Sequence, residues 1–351
     1  MNHRFLTVLG IAALVMLAIV VLLAPAPAAA QTQKAVSAPA AKSSAAAKPW
    51  TVSKTPDGQP DLQGYWTNNS YTPLERPNGV TKEFYAPAEL AEANKKAAER
   101  EEEQTTPGTI ADVHYDFTQF GLDRSQTRLT GNLRTSVIVD PANGKLPPVT
   151  SEGQKRAADR AAERKKQGAQ YDQVQNIPIG SRCVYQNAAP PMLPPGYNPA
   201  YEIIQGKDAV TIVIEMLHEV RVIPLDGKPH APQGYKSWLG DSRGHWEGDT
   251  LVVETTNFND KTAFRGASEN MKVTERFTRI SDDAIRYEFT VNDPSTWEIP
   301  WKGQMPFVKI NGPIFEHACH EGNYGVANTL KAVRMEEKKA AEEAPKKGPK
   351  N

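Results

Sequence analysis

The chain has 351 residues, with 41 Lys or Arg against 41 Asp or Glu, so its formal net charge is zero. That balance argues against nucleic acid as the main partner, because there is no basic excess to neutralise phosphates. At 39% hydrophobic residues and 28 prolines, the chain holds enough apolar surface for a core and too many breaks for a long helical bundle.

Residues 1–30 read as a secretory signal peptide. His3 and Arg4 precede an apolar run that ends in Ala-Pro-Ala-Pro-Ala-Ala-Ala, and Ala28 and Ala30 supply small residues for cleavage before Gln31. The competing reading is an uncleaved anchor, since the run is long enough to span a bilayer. With cleavage the protein is periplasmic or secreted, with no stable membrane span left. Residues 31–49 are mostly Ala, Ser, Pro and Lys with hardly a large side chain, and read as a disordered tether. Residues 50–333 then form one β-rich domain, and 334–351 a charged tail.

Two stretches, 86–104 and 151–167, have helix composition; Pro87 suits a first turn and the Thr150-Ser151 pair a cap. Their apolar stripes are mostly alanine, which makes them peripheral helices. Between them, 134–140 is a short β-branched run followed by turn residues. From residue 201 onward, strands are predicted over 201–204, 209–224, 250–258, 271–280 and 284–292, the last two joined as a hairpin. Strands at this spacing without intervening helices predict a mainly β fold, an antiparallel meander that forms a barrel or sandwich.

The two cysteines, Cys183 and Cys319, lie in the expected exported part and are read first as a disulfide, the alternative being a pair of buried thiols. Closing so long a loop is worth roughly 4 to 5 kcal/mol at most by chain entropy.

Alternation assigns side chains to faces. Across 209–224 one face carries Ile212, Ile214, Met216, His218, Val220 and Val222, which places an imidazole among apolar neighbours. Over 273–277, Val273, Glu275 and Phe277 share a face, so Glu275 is a carboxylate that needs a partner or a raised pKa. In a barrel lumen His218 and Glu275 would meet, either as a general acid–base couple or as a structural hydrogen bond. The cluster from His317 to Tyr324 adds His320 and Glu321 as further acid–base candidates. His317 and His320 would also hold a divalent metal if a helical turn brought them together. No cofactor is required by the sequence, and such a metal is the only one it suggests.

Ligand-binding candidates come from two regions. The segment 238–249 holds Trp238, Asp241, Arg243 and His245 between glycines at 240, 244 and 248, and reads either as a binding loop or as turn chemistry before a strand. Trp297 and Trp301, with Tyr65, Trp66 and Tyr71, suit an apolar or sugar-binding groove, although aromatic residues also build β cores. Met216 and Phe277 would wall the lumen.

The string Trp238-Leu-Gly-Asp-Ser-Arg-Gly-His-Trp-Glu-Gly-Asp-Thr-Leu-Val-Val-Glu-Thr-Thr-Asn-Phe258, with Ala318-Cys-His-Glu-Gly-Asn-Tyr324, resembles an uncharacterised family of secreted proteins from environmental bacteria. That resemblance implies export and nothing about activity. Gly64-Tyr-Trp66 is also similar to the Gly-x-Trp near the first strand of lipocalin-type barrels, which implies a ligand-holding lumen.

Three functional readings follow. The first is a domain binding a small organic ligand or carbohydrate. The second is a periplasmic hydrolase or lyase that uses His218 or His320 with Glu275 or Glu321, and Arg243 to hold an anion. The third is an envelope-associated structural protein without an enclosed pocket. The sequence decides neither the ligand nor the oligomeric state.

Overall fold

The computed structural model describes residues 50–103, 129–168, 171–186, 188–194, 198–262 and 264–343. The expected signal peptide and tether, and the end of the charged tail, lie outside the described residues.

Among the described residues are ten strands and three α-helices. The strands are β1 (Gly64–Thr67), β2 (Ile138–Asp140), β3 (Ala200–Gln205), β4 (Ala209–Ile214), β5 (Glu219–Pro224), β6 (Asp241–Glu247), β7 (Thr250–Thr256), β8 (Lys272–Ser281), β9 (Ala284–Asn292) and β10 (Trp301–Lys309). The helices are α1 (Pro87–Glu103), α2 (Ser151–Lys166) and α3 (Tyr324–Glu343). Thr150 caps α2 as expected, its hydroxyl accepting the Gly153 N–H at 3.0 Å.

Nine strands form one antiparallel sheet in the order β5-β4-β3-β1-β10-β9-β8-β7-β6, and β2 adds to β10. The sheet curls into a nearly closed barrel. No backbone ladder joins β5 to β6 among the described residues, so the seam is closed by side chains. Arg243 Nη1 reaches Asp226 Oδ1 at 3.6 Å, and Arg221 Nη2 reaches Ser242 Oγ at 3.4 Å. A Cβ at Gly244 would lie 2.7 Å from Ile223 Cγ2 and 2.9 Å from Leu225 Cδ2, so glycine alone lets the edges approach.

The ladders set an inward face that includes Val273, Glu275, Phe277, Tyr287, Phe289, Val291, Met305 and Phe307, all buried. Aromatic rings fill the interior: Phe277 and Tyr287 centroids are 4.9 Å apart, Tyr287 and Phe307 5.2 Å, Phe289 and Trp301 5.7 Å. Each such ring stabilises the fold by about 1.5–3 kcal/mol relative to exposure. The barrel is therefore packed rather than hollow: Met216 and Phe277, expected to wall a lumen, are solid core together with Ile212, Ile214 and Val273.

Two strands escaped the sequence reading because of their glycines and prolines. β6 was expected to be a loop, yet only Gly240 and Gly248 take left-handed turn conformations, with φ of 76° and 60°. Gly244 is a strand residue at the seam. β10 contains Gly303 and Pro306; a Cβ at Gly303 would lie 2.2 Å from Phe289 Cζ, so glycine makes room for that ring. Pro306 falls between the stretches of β10 that pair with β2 and β1, where its missing N–H leaves no ladder bond unmade.

The expected strand over 209–224 is a hairpin. Residues 216–218 form a 3-10 turn, with Leu217 and His218 at φ 55° and 43°. The turn shifts the alternation by one residue, so Ile212 pairs with Arg221 and Ile214 with Glu219. Arg221 and Ile223 face the interior and Val220 and Val222 face solvent, the reverse of the assignment made by counting straight through.

Candidate functional site

Residues 177–186 and 188–194 pack against the barrel, Met192 through Tyr287 and Asn68 and Tyr185 through Trp238. Cys183 is bonded to Cys319 across 136 residues, with Cα atoms 5.8 Å apart, as the cysteine count predicted. Asn323 Nδ2 donates to Ser181 O at 2.8 Å beside the bridge. Deeper in, the Met192 N–H donates to the Tyr287 hydroxyl at 2.9 Å, and Asn68 Nδ2 to Met192 O at 2.9 Å.

Under this loop lies a buried polar network. Arg221 forks onto Glu275, Nη1 to Oε1 at 3.1 Å and Nη2 to Oε2 at 2.6 Å, and the Tyr287 hydroxyl donates to Oε1 at 2.8 Å. Ser242 and Thr255 hydroxyls lie 2.9 Å apart beside it. The carboxylate on an apolar face thus has its partner, an arginine rather than a histidine. Burial, and then the neighbouring Glu275 charge, push the Tyr287 hydroxyl far above its ordinary range. This network is sealed, with Arg221 and Glu275 at 2% and 0% exposure. Its geometry is that of a structural ion pair.

The solvent-reachable site lies between the loop and the segment after β7. A cleft of about 680 Å³ runs between Ile179, Ser181, Tyr185, Gln186 and Leu193 on one wall and Phe258, Lys261, Phe264, Arg265 and Met271 on the other. Tyr185 joins cleft to interior: its ring stacks on Trp238 at 5.9 Å, and its hydroxyl accepts the Ala189 N–H at 3.3 Å. Burial raises its pKa, with Glu219 adding to the rise. Glu219 takes the Gln186 N–H, but burial dominates and lifts its carboxyl to about 7. Its Oε2 is buried without a partner.

None of the residues singled out from the sequence lines this cleft. His218 is exposed in the 216–218 turn and does not face Glu275. Proximity to His218, after burial, lowers the pKa of half-buried His317, so the two imidazoles are neighbours. His320 and Glu321 are exposed beyond the disulfide, and among the described residues no group of three His, Cys, Asp or Glu could hold a metal ion. Met216, Phe277, Trp297 and Trp301 are core residues. Asp241 accepts from Ala231 N–H and from His230 Nδ1, each at 2.8 Å. These bonds and Arg243 outweigh burial, the largest influence, and hold its pKa low. Arg243 bridges Asp241 and Asp226, and His245 pairs with Glu247 at 3.2 Å on the surface.

The cleft residues were missed because they come from irregular segments, where alternation assigns no face. The one legible signal was Lys261-Thr-Ala-Phe-Arg265, two cations around an aromatic with no acid among them.

No family model matches the chain, and no curated protein does. Among solved structures, the chain is similar to a mutant of the fluorescent protein UnaG. The identity is 15%, the match covers 39% of this chain and 88% of that one, and the TM-score is 0.21. No helix among the described residues is long and apolar enough to cross a membrane.

Proposed function

We propose that this chain is an exported binding protein that takes a small organic molecule in the cleft between the 177–194 loop and the segment after β7. One observation carries the reading: the cleft, at about 680 Å³, has the volume of a small-molecule site, ~300–1,000 Å³. Its apolar walls continue into the core through Tyr185, Phe258 and Met271, which belong to both. An apolar organic ligand suits this cleft better than a carbohydrate, because the tryptophans suited to stacking a sugar, Trp297 and Trp301, are buried against each other. Export is supported by the signal-like residues 1–30 and by the Cys183–Cys319 bridge.

A neutral fluorescent probe, N-phenyl-1-naphthylamine, tests this reading. It should bind saturably at one site with a blue-shifted emission. Ser181→Trp, which places a large ring in the cleft from an exposed position, should weaken binding by about tenfold, the equivalent of about 1.4 kcal/mol. A wild-type protein that shows no saturable binding, or a Ser181→Trp variant that binds as tightly as wild type, would sink the reading.

A further inference from the structure

We infer that the cleft selects an anionic ligand with an apolar ring body, its acid group held between Lys261 and Arg265; this rests on the reading of the cleft as a small-molecule site. The lining contains these two cations and no Asp or Glu. Among the described residues neither side chain makes a hydrogen bond or an ion pair. Glu269 pairs with Lys236 at 3.4 Å, and Asp260, though exposed beside Lys261, is outside the lining.

The cations stand on a fixed support rather than a loose loop. Asn259 Oδ1 accepts the Lys261 N–H at 2.9 Å. Arg265 holds a left-handed φ of 48° inside the Phe264–Gly266 turn, a conformation that non-glycine residues adopt only where the surroundings enforce it. What enforces it is visible on both sides. Arg156 and Arg160 of α2 reach Gly266 O and Ala267 O at 3.4–3.5 Å. Asp293 clamps Ser268 through its N–H at 2.6 Å and its hydroxyl at 2.9 Å. Arg156 is itself paired with Glu152 at 3.4 Å and shares Thr296 with Asp293, so these groups brace the turn rather than charge it. Lys261 and Arg265 are both exposed, so their attraction for an anion is a surface interaction that salt screens.

The same cleft offers a ring a place to lie. Phe264 is backed by Trp301, their rings stacked at 6.1 Å and 24°, and Phe258 is buried beside it. A cationic ligand would meet two like charges without a counter-charge, and a purely apolar one would leave both uncompensated. An aromatic or alicyclic carboxylate, sulfonate or phosphate satisfies both features.

The test uses two probes that share one ring system: N-phenyl-1-naphthylamine and its sulfonated form, 8-anilino-1-naphthalenesulfonate. Each is titrated into the full chain as wild type and as the Lys261→Gln/Arg265→Asn double variant, asparagine being chosen because it tolerates a left-handed φ. The double variant should weaken the sulfonate by about tenfold and leave the neutral probe unchanged, which also shows that the cleft is still folded. Raising the salt from about 0.01 M to about 1 M should weaken only the sulfonate, and only in the wild type. If the sulfonate binds the double variant as tightly as wild type, or if both probes weaken together, the anion inference is overturned while the cleft reading stands. If neither probe binds the wild type, the cleft reading fails and takes the inference with it.

Discussion

The pair Arg221–Glu275 allows the sharpest test of how this barrel is held together. In Arg221→Leu, Glu275 loses both guanidinium bonds, at 3.1 and 2.6 Å, and keeps only the Tyr287 hydroxyl. The carboxylate is fully enclosed, at 0% exposure. Removing one partner of a buried pair costs about 3–5 kcal/mol, since it strands the other charge. At roughly 2–4 °C per kcal/mol for domains of 150–250 residues, the melting temperature should fall by roughly 10 °C. Replacing both partners, as Arg221→Leu with Glu275→Leu, should recover most of that loss, because the desolvation cost of the two charges disappears with them. Arg221 Nε, which is buried without an acceptor, makes the intact pair less than fully compensated and favours that recovery. Guanidinium denaturation of wild type, both single variants and the double variant closes the thermodynamic cycle. A single-variant cost below about 1 kcal/mol would refute the reasoning, because exposed pairs alone are that weak.

Two further predictions concern the cleft loop. The raised pKa of Glu219, about 7, lies above its ordinary unfolded value, so the folded state binds this proton more tightly. Its stabilising contribution is fully present below the unfolded value and is lost as pH rises through about 7. In Glu219→Gln, urea midpoints should therefore fall less between acidic pH and pH 8 than in wild type. Glu215, whose pKa burial also raises, and His317, whose pKa burial lowers, are present in both proteins and cancel in the comparison. Identical pH profiles for the two proteins would show that the Glu219 carboxyl is solvated. The disulfide spans 136 residues, and Cys183→Ser with Cys319→Ser should cost roughly 2–5 kcal/mol, with about 5 as the chain-entropy ceiling. A double serine variant that unfolds at the same denaturant midpoint as the oxidised wild type would refute a stabilising role for the clasp.

The sequence by itself determined the fold class, the strands at 200–205, 250–256, 272–281 and 284–292, both expected helices and the expected pairing of its two cysteines. Those features rest on local signals: period-two alternation, a Thr cap, a Pro in the first turn, and two thiols with only each other to bond. It also marked Glu275 correctly as a carboxylate on an apolar face in need of a partner. Only the tertiary structure decided which partner. The 216–218 turn shifts the strand parity by one residue, and a one-residue shift carries Arg221 inward while it leaves His218 in solvent. The strand character of 241–247 and 301–309 was likewise hidden, because Gly244 and Gly303 are there to make room for side chains on other strands, Ile223 and Phe289. The cleft is further still from the sequence. Its walls come from two segments, one within 178–194 and one within 258–271, that have no period to read and meet only in the folded chain.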